Sequence, residues 1–170
     1  MKTLEQQLGS YAAYHRDRRN IATHFLGIPL IVLATTTLLS RPIWLSIAVA
    51  AASGIFYFAL DRRYGLAMTA LLAGSVWVGA KLAVLPTGQW LAAGIGLFVL
   101  GWVIQFVGHA FEGRKPAFVD DLVGLLVGPL FVIAELGFLL GLRDGLRLAI
   151  EAKPVRRTPA GRAPQQCLEH

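Results

Sequence analysis

Five blocks of mainly apolar residues constrain this chain more than any other feature of its sequence. They cover residues 25–39, 43–60, 66–85, 90–110 and 118–142. The middle three have about the 20-residue length that a helix needs to cross the hydrocarbon core of a membrane, and the preceding residues can lengthen the first. Because open strands cannot satisfy their backbone groups in lipid, the spans must be helices. The sequence therefore predicts an all-α integral membrane protein with about four transmembrane helices.

The composition agrees with this class and excludes others. Hydrophobic residues make up 55% of the chain and charged residues 15%, whereas a soluble domain has roughly 25% charged residues. The net charge of +6 does not indicate nucleic acid, because the basic residues occupy short connectors and the two ends. Cations in those places favour contact with anionic membrane lipid. The single cysteine, Cys167, excludes an internal disulfide framework and a cysteine-based zinc site.

We expect one membrane-embedded helical domain over residues 1–150, followed by a tail over residues 151–170. The tail is basic and proline-rich, a composition typical of segments without a packed core. It ends in Leu168, Glu169 and His170, which resemble the start of a purification tag, so His170 is left out of the functional interpretation. Residues 1–20 are polar and lack a signal-peptide pattern, so we expect no cleavable signal peptide.

The distribution of positive charge predicts the orientation in the membrane, because cations accumulate on the cytoplasmic side. The first 20 residues carry Lys2, Arg16, Arg18 and Arg19. The first two crossings return Arg62 and Arg63 to the same side, and the next two return Arg114 and Lys115. The opposite connectors hold Arg41. We therefore predict a cytoplasmic N terminus in the cytoplasmic membrane of a bacterium, or in the endoplasmic reticulum if the source is eukaryotic.

The fifth block, residues 118–142, conflicts with this orientation if it crosses the membrane, because it would export a strongly basic tail. A re-entrant hairpin bent near Gly128 and Pro129 keeps the tail inside, and two half-length helices fit the proline. We favour the hairpin on the positive-inside bias, with a fifth span as the alternative. Glu135 lies within this block, where an acidic residue either serves function or pairs with an arginine such as Arg143.

Three histidines are expected at the cytoplasmic face, although nearly a hundred residues separate the first from the last. His15 lies in the polar N-terminal segment, His24 at the entry to the first span and His109 at the exit of the fourth. Glu112 follows His109 by three positions, so the two share a helix face. His15 and His24 are nine positions apart and would point to opposite faces of one straight helix. They converge only if the chain bends between them; otherwise two metal centres are needed.

Histidines in this arrangement favour either a metal site or an interfacial role. Neutral imidazole is a good ligand for iron, zinc or copper, and a carboxylate can complete the ligand set. Asn20 precedes His24 by four positions. Gln105 precedes His109 by four, so its side chain can orient the His109 ring or bond to another helix. Spacing alone leaves both interpretations open, because the sequence has no local HExxH-type pattern.

Two stretches carry a resemblance to a known family. The first is YHRDRRNIATHFLGIP at residues 14–29, and the second is WVIQFVGHAFEGRKPA at residues 102–117. Together with Pro129 and Glu135, they resemble the membrane family typified by the yeast endoplasmic-reticulum 2-hydroxy fatty acid dioxygenase. The resemblance covers essentially residues 5–150 and is specific at the two histidine motifs. The family pattern has a histidine directly before the first motif histidine, where this chain has Tyr14, which argues against a richer histidine site.

The resemblance implies an iron(II)-dependent dioxygenase of fatty-acid α-oxidation. Such an enzyme uses O2 to convert a 2-hydroxy fatty acid to the fatty acid one carbon shorter, with release of CO2. Carried over by motif, the iron ligands are His15, His24 and His109. The residues at matching positions, as further ligands or as orienting groups, are Asn20, Gln105 and Glu112. Among these, Glu112 is the preferred fourth ligand.

The implied substrate also predicts a location for the acyl chain. We expect it between helices lined by Phe25, Leu26 and Phe106. One competing interpretation is a small transporter or channel, in which Glu135 and the re-entrant hairpin form the substrate path. Another is a non-catalytic assembly protein with interfacial histidines. The sequence does not indicate an oligomeric state.

Overall fold

The structure, a computed structural model, describes residues 2–113 and 123–151. This part of the chain contains seven helices and no strand. In chain order the helices are α1 (Leu4–Ala12), α2 (Arg18–Leu39), α3 (Ile43–Leu60), α4 (Arg62–Ala83), α5 (Thr87–Glu112), α6 (Gly124–Leu139) and α7 (Asp144–Glu151). The basic pair Arg114 and Lys115 and the tail beyond residue 151 lie outside the described residues. The predicted all-α class is confirmed.

Helices α2 to α5 are the four transmembrane helices that the sequence predicts. Each has 18 to 26 residues and a mean hydropathy between 1.5 and 2.0 over its most apolar window, so each is long and apolar enough to cross a bilayer. Large apolar side chains are exposed on their outer surface, among them Ile55, Leu66 and Trp77. Exposed apolar surface on this scale is unfavourable in water and fits a lipid environment.

The most extensive helix contact joins α2 to α5. The two backbones touch, because a Cβ added to Gly27 would lie 2.9 Å from the carbonyl oxygen of Gly101, and one added to Gly101 would lie 2.9 Å from that of Gly27. Only glycine permits this approach. Gly108 packs against Thr23 and Asn20 in the same way. This pair of helices is the scaffold that carries the second and third histidines.

The four-helix bundle has two chemically different ends. Its histidine end comprises the starts of α2 and α4 and the C-terminal ends of α3 and α5, and its Arg41 end comprises the other termini of these helices. At the histidine end, Asp17 caps α2 and Asp61 caps α4, each by accepting hydrogen bonds from backbone N–H groups of the first turn. These carboxylates satisfy donors that a helix start leaves without partners, so they fix where both spans begin.

The expected hairpin bend near Gly128 and Pro129 is wrong, because α6 runs without a break from Gly124 to Leu139. A proline removes one backbone hydrogen bond from a helix, but here Gly128 and Leu130 on either side are buried, and their packing holds the helix together. The chain changes direction only after the helix, where Gly141 has a φ of 69°. The hairpin path expected for a transporter is therefore not formed.

Helix α6 lies across the histidine end of the bundle and does not form a fifth span. Near its start, the hydroxyl of Tyr57 donates to the carbonyl of Leu126 at 2.8 Å. Beyond its end, Arg143 Nη1 pairs with Asp61 Oδ2 at 2.9 Å. Because Tyr57 and Asp61 both lie at the C-terminal end of α3, both ends of α6 are held at one end of the bundle. Helix α1 packs against α6 and α7, and these three helices cover the histidine end.

Candidate metal centre

The structure brings the three histidines together at one end of the bundle. His15 lies between α1 and α2, His24 in the second turn of α2 and His109 in the last turn of α5. They are 3%, 1% and 7% exposed, and one ring nitrogen from each lies within 4.8 Å of the other two. His15 and His24 meet because residues 13–17 separate two helices. This is the bend that their nine-residue spacing requires.

Hydrogen bonds fix which nitrogen His15 and His24 present to the centre. His15 Nδ1 lies 2.8 Å from the carbonyl oxygen of Tyr11, and His24 Nδ1 lies 2.8 Å from that of Asn20. A carbonyl oxygen only accepts, so Nδ1 donates in both rings, and in the neutral ring Nε2 carries the lone pair. Metal-binding histidines in proteins are commonly held in this way, through the nitrogen that does not ligate.

Two ring nitrogens at the centre, His15 Nε2 and His109 Nδ1, are buried and have no hydrogen-bond partner in the described part of the chain. Burial lowers the pKa of His15, although the Tyr11 carbonyl and the charge of Glu112 oppose that shift, so this imidazole is neutral near pH 7. A neutral ring with an unused lone pair is the ligand form of histidine. Together with His24, whose Nε2 carries the lone pair in the neutral ring, His15 and His109 fit a divalent ion of the iron, zinc or copper kind.

Glu112, predicted as the fourth ligand, lies outside the group of donor atoms, which among the described residues comprises the three histidines. Both of its oxygens accept a hydrogen bond from Arg16 N at 3.0 Å, and Oε2 also accepts from Asp17 N at 2.9 Å and from Asn20 Nδ2 at 3.1 Å. Three donors therefore occupy the carboxylate. In the structure the carboxylate clamps the bend that presents His15 to the centre, and its ligation of a metal stays a prediction.

Asn20 and Gln105, the other predicted site residues, both lie next to the histidines. Asn20 is fully buried; its carbonyl holds His24, its amide nitrogen holds Glu112, and its Oδ1 has no partner. Gln105 is buried against Gly27, and its Oε1 also lacks a partner. Both side chains are placed to orient the rings or to contact a ligand.

Tyr11 and Phe131 belong to the site, and sequence analysis missed both. The Tyr11 ring stacks on His15 with centroids 4.2 Å apart and planes 8° apart, and Phe131 lies 5.0 Å from Tyr11 and 5.7 Å from His15. A signal for Tyr11 existed, because it precedes His15 by four positions, the spacing that also links Asn20 to His24. No helical spacing connects Phe131 to the histidines, since it lies on a different helix, α6, and more than a hundred residues from His15 and His24.

A long apolar cavity of about 310 Å³ begins at the centre and runs between α2, α3, α5 and α6. Tyr11, His24, Gln105 and His109 line its polar end. Its size is within the range of small-molecule sites, at the low end. Other apolar residues form its walls, including Ile28, Ile31, Val32, Leu39, Val49 and Phe98.

The residues expected to line an acyl-chain site, Phe25, Leu26 and Phe106, are not among those that line this cavity. Leu26 is 57% exposed and Phe106 is 53% exposed on the outer surface of the bundle, and Phe25 lines a different groove. The difference has a simple cause, because a continuous apolar block does not reveal which face of a span is turned inward. The inward face of α2 is the one that carries Ile28, Ile31 and Val32.

Fold and site together define a helical membrane protein with a buried three-histidine centre at the end of an apolar cavity. Residues 1–140 match the model of the family described as "2-hydroxy-palmitic acid dioxygenase Mpo1-like", and the chain belongs to this family. It is 36% identical over 153 residues to the 2-hydroxy-palmitic acid dioxygenase MPO1 of Saccharomyces cerevisiae, with 87% of each chain covered. The resemblance carried by the two histidine motifs is thereby confirmed. No solved structure gives a significant match.

Proposed function

We propose that this protein is an iron(II)-dependent dioxygenase of fatty-acid α-oxidation, which converts a 2-hydroxy fatty acid to the fatty acid one carbon shorter and CO2. The observation that carries the proposal is the placement of three buried imidazoles, with donor atoms within 4.8 Å of one another, at the end of an apolar cavity. The name of the yeast relative supports the substrate class. The reaction needs no further reductant, because RCH(OH)COOH and O2 balance with RCOOH, CO2 and H2O.

His15, His24 and His109 would hold the metal, which when bound supplies the redox chemistry that lets O2 react with an organic substrate. The protein contributes the exclusion of water and the orientation of the rings. Tyr11 and Phe131 cover the His15 side of the centre, and the Tyr11 and Asn20 carbonyls fix two ring tautomers. Glu112 holds the bend between α1 and α2.

The cavity orients the substrate by its polarity. An acyl chain gains free energy from leaving water for the apolar walls, so the carboxylate and the 2-hydroxyl group stay at the histidines. There, Gln105 Oε1 is buried without a partner and can accept from the 2-hydroxyl group. Burial raises the pKa of Tyr11, so its phenol stays protonated and can donate to the carboxylate.

Anaerobic loading with iron(II), followed by measurement of O2 uptake, tests the proposal. With 2-hydroxypalmitate we expect uptake matched one to one by CO2 and pentadecanoate. Palmitate lacks the hydroxyl and 3-hydroxypalmitate carries it one carbon further along, so both should give none. Iron-loaded protein that takes up no O2 with 2-hydroxypalmitate would sink the dioxygenase assignment.

We also propose that the N terminus and the histidine centre face the cytoplasm, on the positive-inside bias of the sequence. Cysteine labelling of intact cells tests this in a Cys167→Ala background. Lys2→Cys should resist a membrane-impermeant maleimide, and Gly88→Cys, at the Arg41 end, should react. The reverse pattern would overturn the orientation and leave the reaction untouched.

A further inference from the structure

A second groove, of about 770 Å³, lies at the histidine end on the opposite side of the centre from the apolar cavity. It is bounded by α1, by the segment that joins α1 to α2, and by α6 and α7. One wall is apolar, with Phe25, Phe138 and Ile150. The groove is therefore amphipathic rather than a simple water-filled cleft.

The charged lining of this groove is predominantly positive. Three guanidinium groups, those of Arg16, Arg18 and Arg147, line it together with one carboxylate, that of Glu135. Arg147 and Glu135 also make other contacts, so Arg16 and Arg18 are the cations that we assign to a ligand. Guanidinium groups pair well with carboxylates and phosphates. Cations beside an apolar wall fit an anionic amphiphile, with its charge at the arginines and its chain on the wall.

The groove and the cavity meet at the metal centre. His15 lines the groove, whereas His24 and His109 line the cavity. The rings of His15 and His24 are 4.5 Å apart between centroids, and those of His15 and His109 are 5.1 Å apart. The histidine cluster thus forms the partition between two chambers, one apolar and one cationic.

We propose that the groove is a second fatty-acid site, in which Arg16 and Arg18 bind the carboxylate and the apolar wall holds the acyl chain. The choice of a fatty acid rests on the proposed function, because the groove shares His15 with a centre assigned to fatty carboxylates. The same chemistry would suit the headgroup of an anionic phospholipid, so the test separates the two sources. In this site a fatty acid is bound beside the centre, before it enters the cavity or after it leaves it.

Photo-crosslinking distinguishes the two chambers, because each has a helix that the other lacks. Ile150 on α7 lines only the groove, and Val49 on α3 lines only the cavity. Full-length protein in detergent micelles is irradiated with palmitic acid that carries a terminal diazirine, and labelled peptides are mapped by mass spectrometry. We expect label on both helices. In the double variant Arg16→Gln and Arg18→Gln, α7 labelling should fall about tenfold, as expected for the loss of two charge-assisted contacts, while α3 labelling persists.

The matched control is the double variant Arg62→Gln and Arg63→Gln, which removes two exposed cations from the same end of the bundle but outside the groove. It should leave α7 labelling intact. Equal losses in the two double variants, or undiminished labelling without Arg16 and Arg18, would overturn the proposal. Displacement of the probe by short-chain phosphatidylglycerol at lower concentration than by palmitate would assign the groove to lipid instead. If α7 is labelled but the iron-loaded protein takes up no O2 with 2-hydroxypalmitate, the proposed reaction is refuted and the second fatty-acid site is retained.

Discussion

Among the described residues, buried polar atoms without a partner concentrate at the histidine end of the bundle, whereas at the Arg41 end one, Thr37 Oγ1, lacks a partner and the polar groups around Arg41 are paired. Arg41 donates to the carbonyls of Ala83 and Leu85 and to Thr87 Oγ1, and it stacks 4.5 Å above the Trp90 ring. That ring in turn donates from Nε1 to the Thr37 carbonyl at 2.9 Å. These contacts close the connector between α4 and α5.

The histidine end is built differently. Among the described residues, six buried side-chain polar atoms lack a partner, and four of them belong to His15, Asn20, Gln105 and His109. An unpartnered buried polar atom costs about 1–3 kcal/mol, so a fold that concentrates four in one place is expected to gain that free energy back from a ligand. The concentration of unsatisfied polar atoms therefore distinguishes the histidine end as the one suited to bind a ligand.

The largest effect should follow from His24→Ala. Loss of one of three ligands should weaken iron binding by more than the roughly 10- to 100-fold typical of losing a group behind a ligand, and O2 uptake should disappear. Metal analysis after dialysis measures this. Arg41→Gln, at the other end, should retain its iron. Stoichiometric iron in the His24→Ala protein would contradict the centre.

Glu112→Gln tests whether the carboxylate clamps the bend or ligates the metal. Substitution places an NH2 group among three N–H donors, so the bend should loosen and the metal affinity should fall by about 10- to 100-fold. Cobalt(II) substitution gives the decisive readout, because its visible spectrum reports the ligand set. A spectrum of unchanged shape supports the clamp, and a changed shape would restore Glu112 as a ligand.

Gly108→Ala should separate the two helices that carry His24 and His109. Its Cβ would lie 2.0 Å from Thr23 Oγ1, and overpacking of this kind destabilises by about 1–3 kcal/mol. Thermal unfolding in detergent, together with metal content, measures both consequences. Gly96→Ala on the same helix is the matched control, since nothing lies within 4 Å of its added Cβ. Equal behaviour of the two variants would count against close packing as the support of the centre.

The parts of this fold that the sequence predicted are those set by the membrane and by helical spacing. Span length and hydropathy predicted α2 to α5, and their alternation placed His15, His24 and His109 at one end. Contacts between distant segments could not be predicted. Helix α6 was assigned a bend at Pro129 because the positive-inside bias favoured a hairpin and the proline offered a place for it, and only burial of the neighbouring residues shows why the helix continues.

The prediction of Glu112 as a ligand depends on spacing alone, which shows a related limit. Its three-residue spacing from His109 places both on one face of α5, and spacing says nothing about what approaches that face. The backbone N–H groups of Arg16 and Asp17 reach the carboxylate from another helix start. A helix start supplies unpartnered donors at every such end, so an acidic residue facing one is as readily a cap as a ligand.

Arg41→Gln should destabilise the protein without affecting the metal centre. Removal of the guanidinium leaves the Ala83 and Leu85 carbonyls without their partner, at a cost of about 1–3 kcal/mol. The midpoint of thermal unfolding should fall, and iron content and the ratio of CO2 to O2 should not change. Lys81→Gln, which removes an exposed cation from the same end, should have little effect on the midpoint. Iron loss in the Arg41 variant would show that the two ends are not independent.

The smallest effect should come from the pair that ties the chain beyond α6 to the bundle. Partial burial acts to raise the pKa of Asp61, but the Tyr64 and Arg63 N–H groups and the Arg143 guanidinium outweigh it, so this pKa lies below its usual value. A lowered folded pKa means that the unfolded chain takes up the proton first as the pH falls. The stabilisation is therefore complete well above about pH 3.9, the ordinary value for aspartate, and is lost as the pH falls from there through the folded pKa.

Asp61→Asn isolates this contribution, because it removes the titration and weakens the pair with Arg143 without adding bulk. Near neutral pH the variant should be slightly less stable than the parent, and the difference in free energy of unfolding should shrink as the pH falls below about 4. Chemical denaturation at a series of pH values measures it. A difference that stays constant with pH would show that the charge of Asp61 does not contribute to stability. In that case α6 would be held across the histidine end by its contact with Tyr57 and by packing against α1.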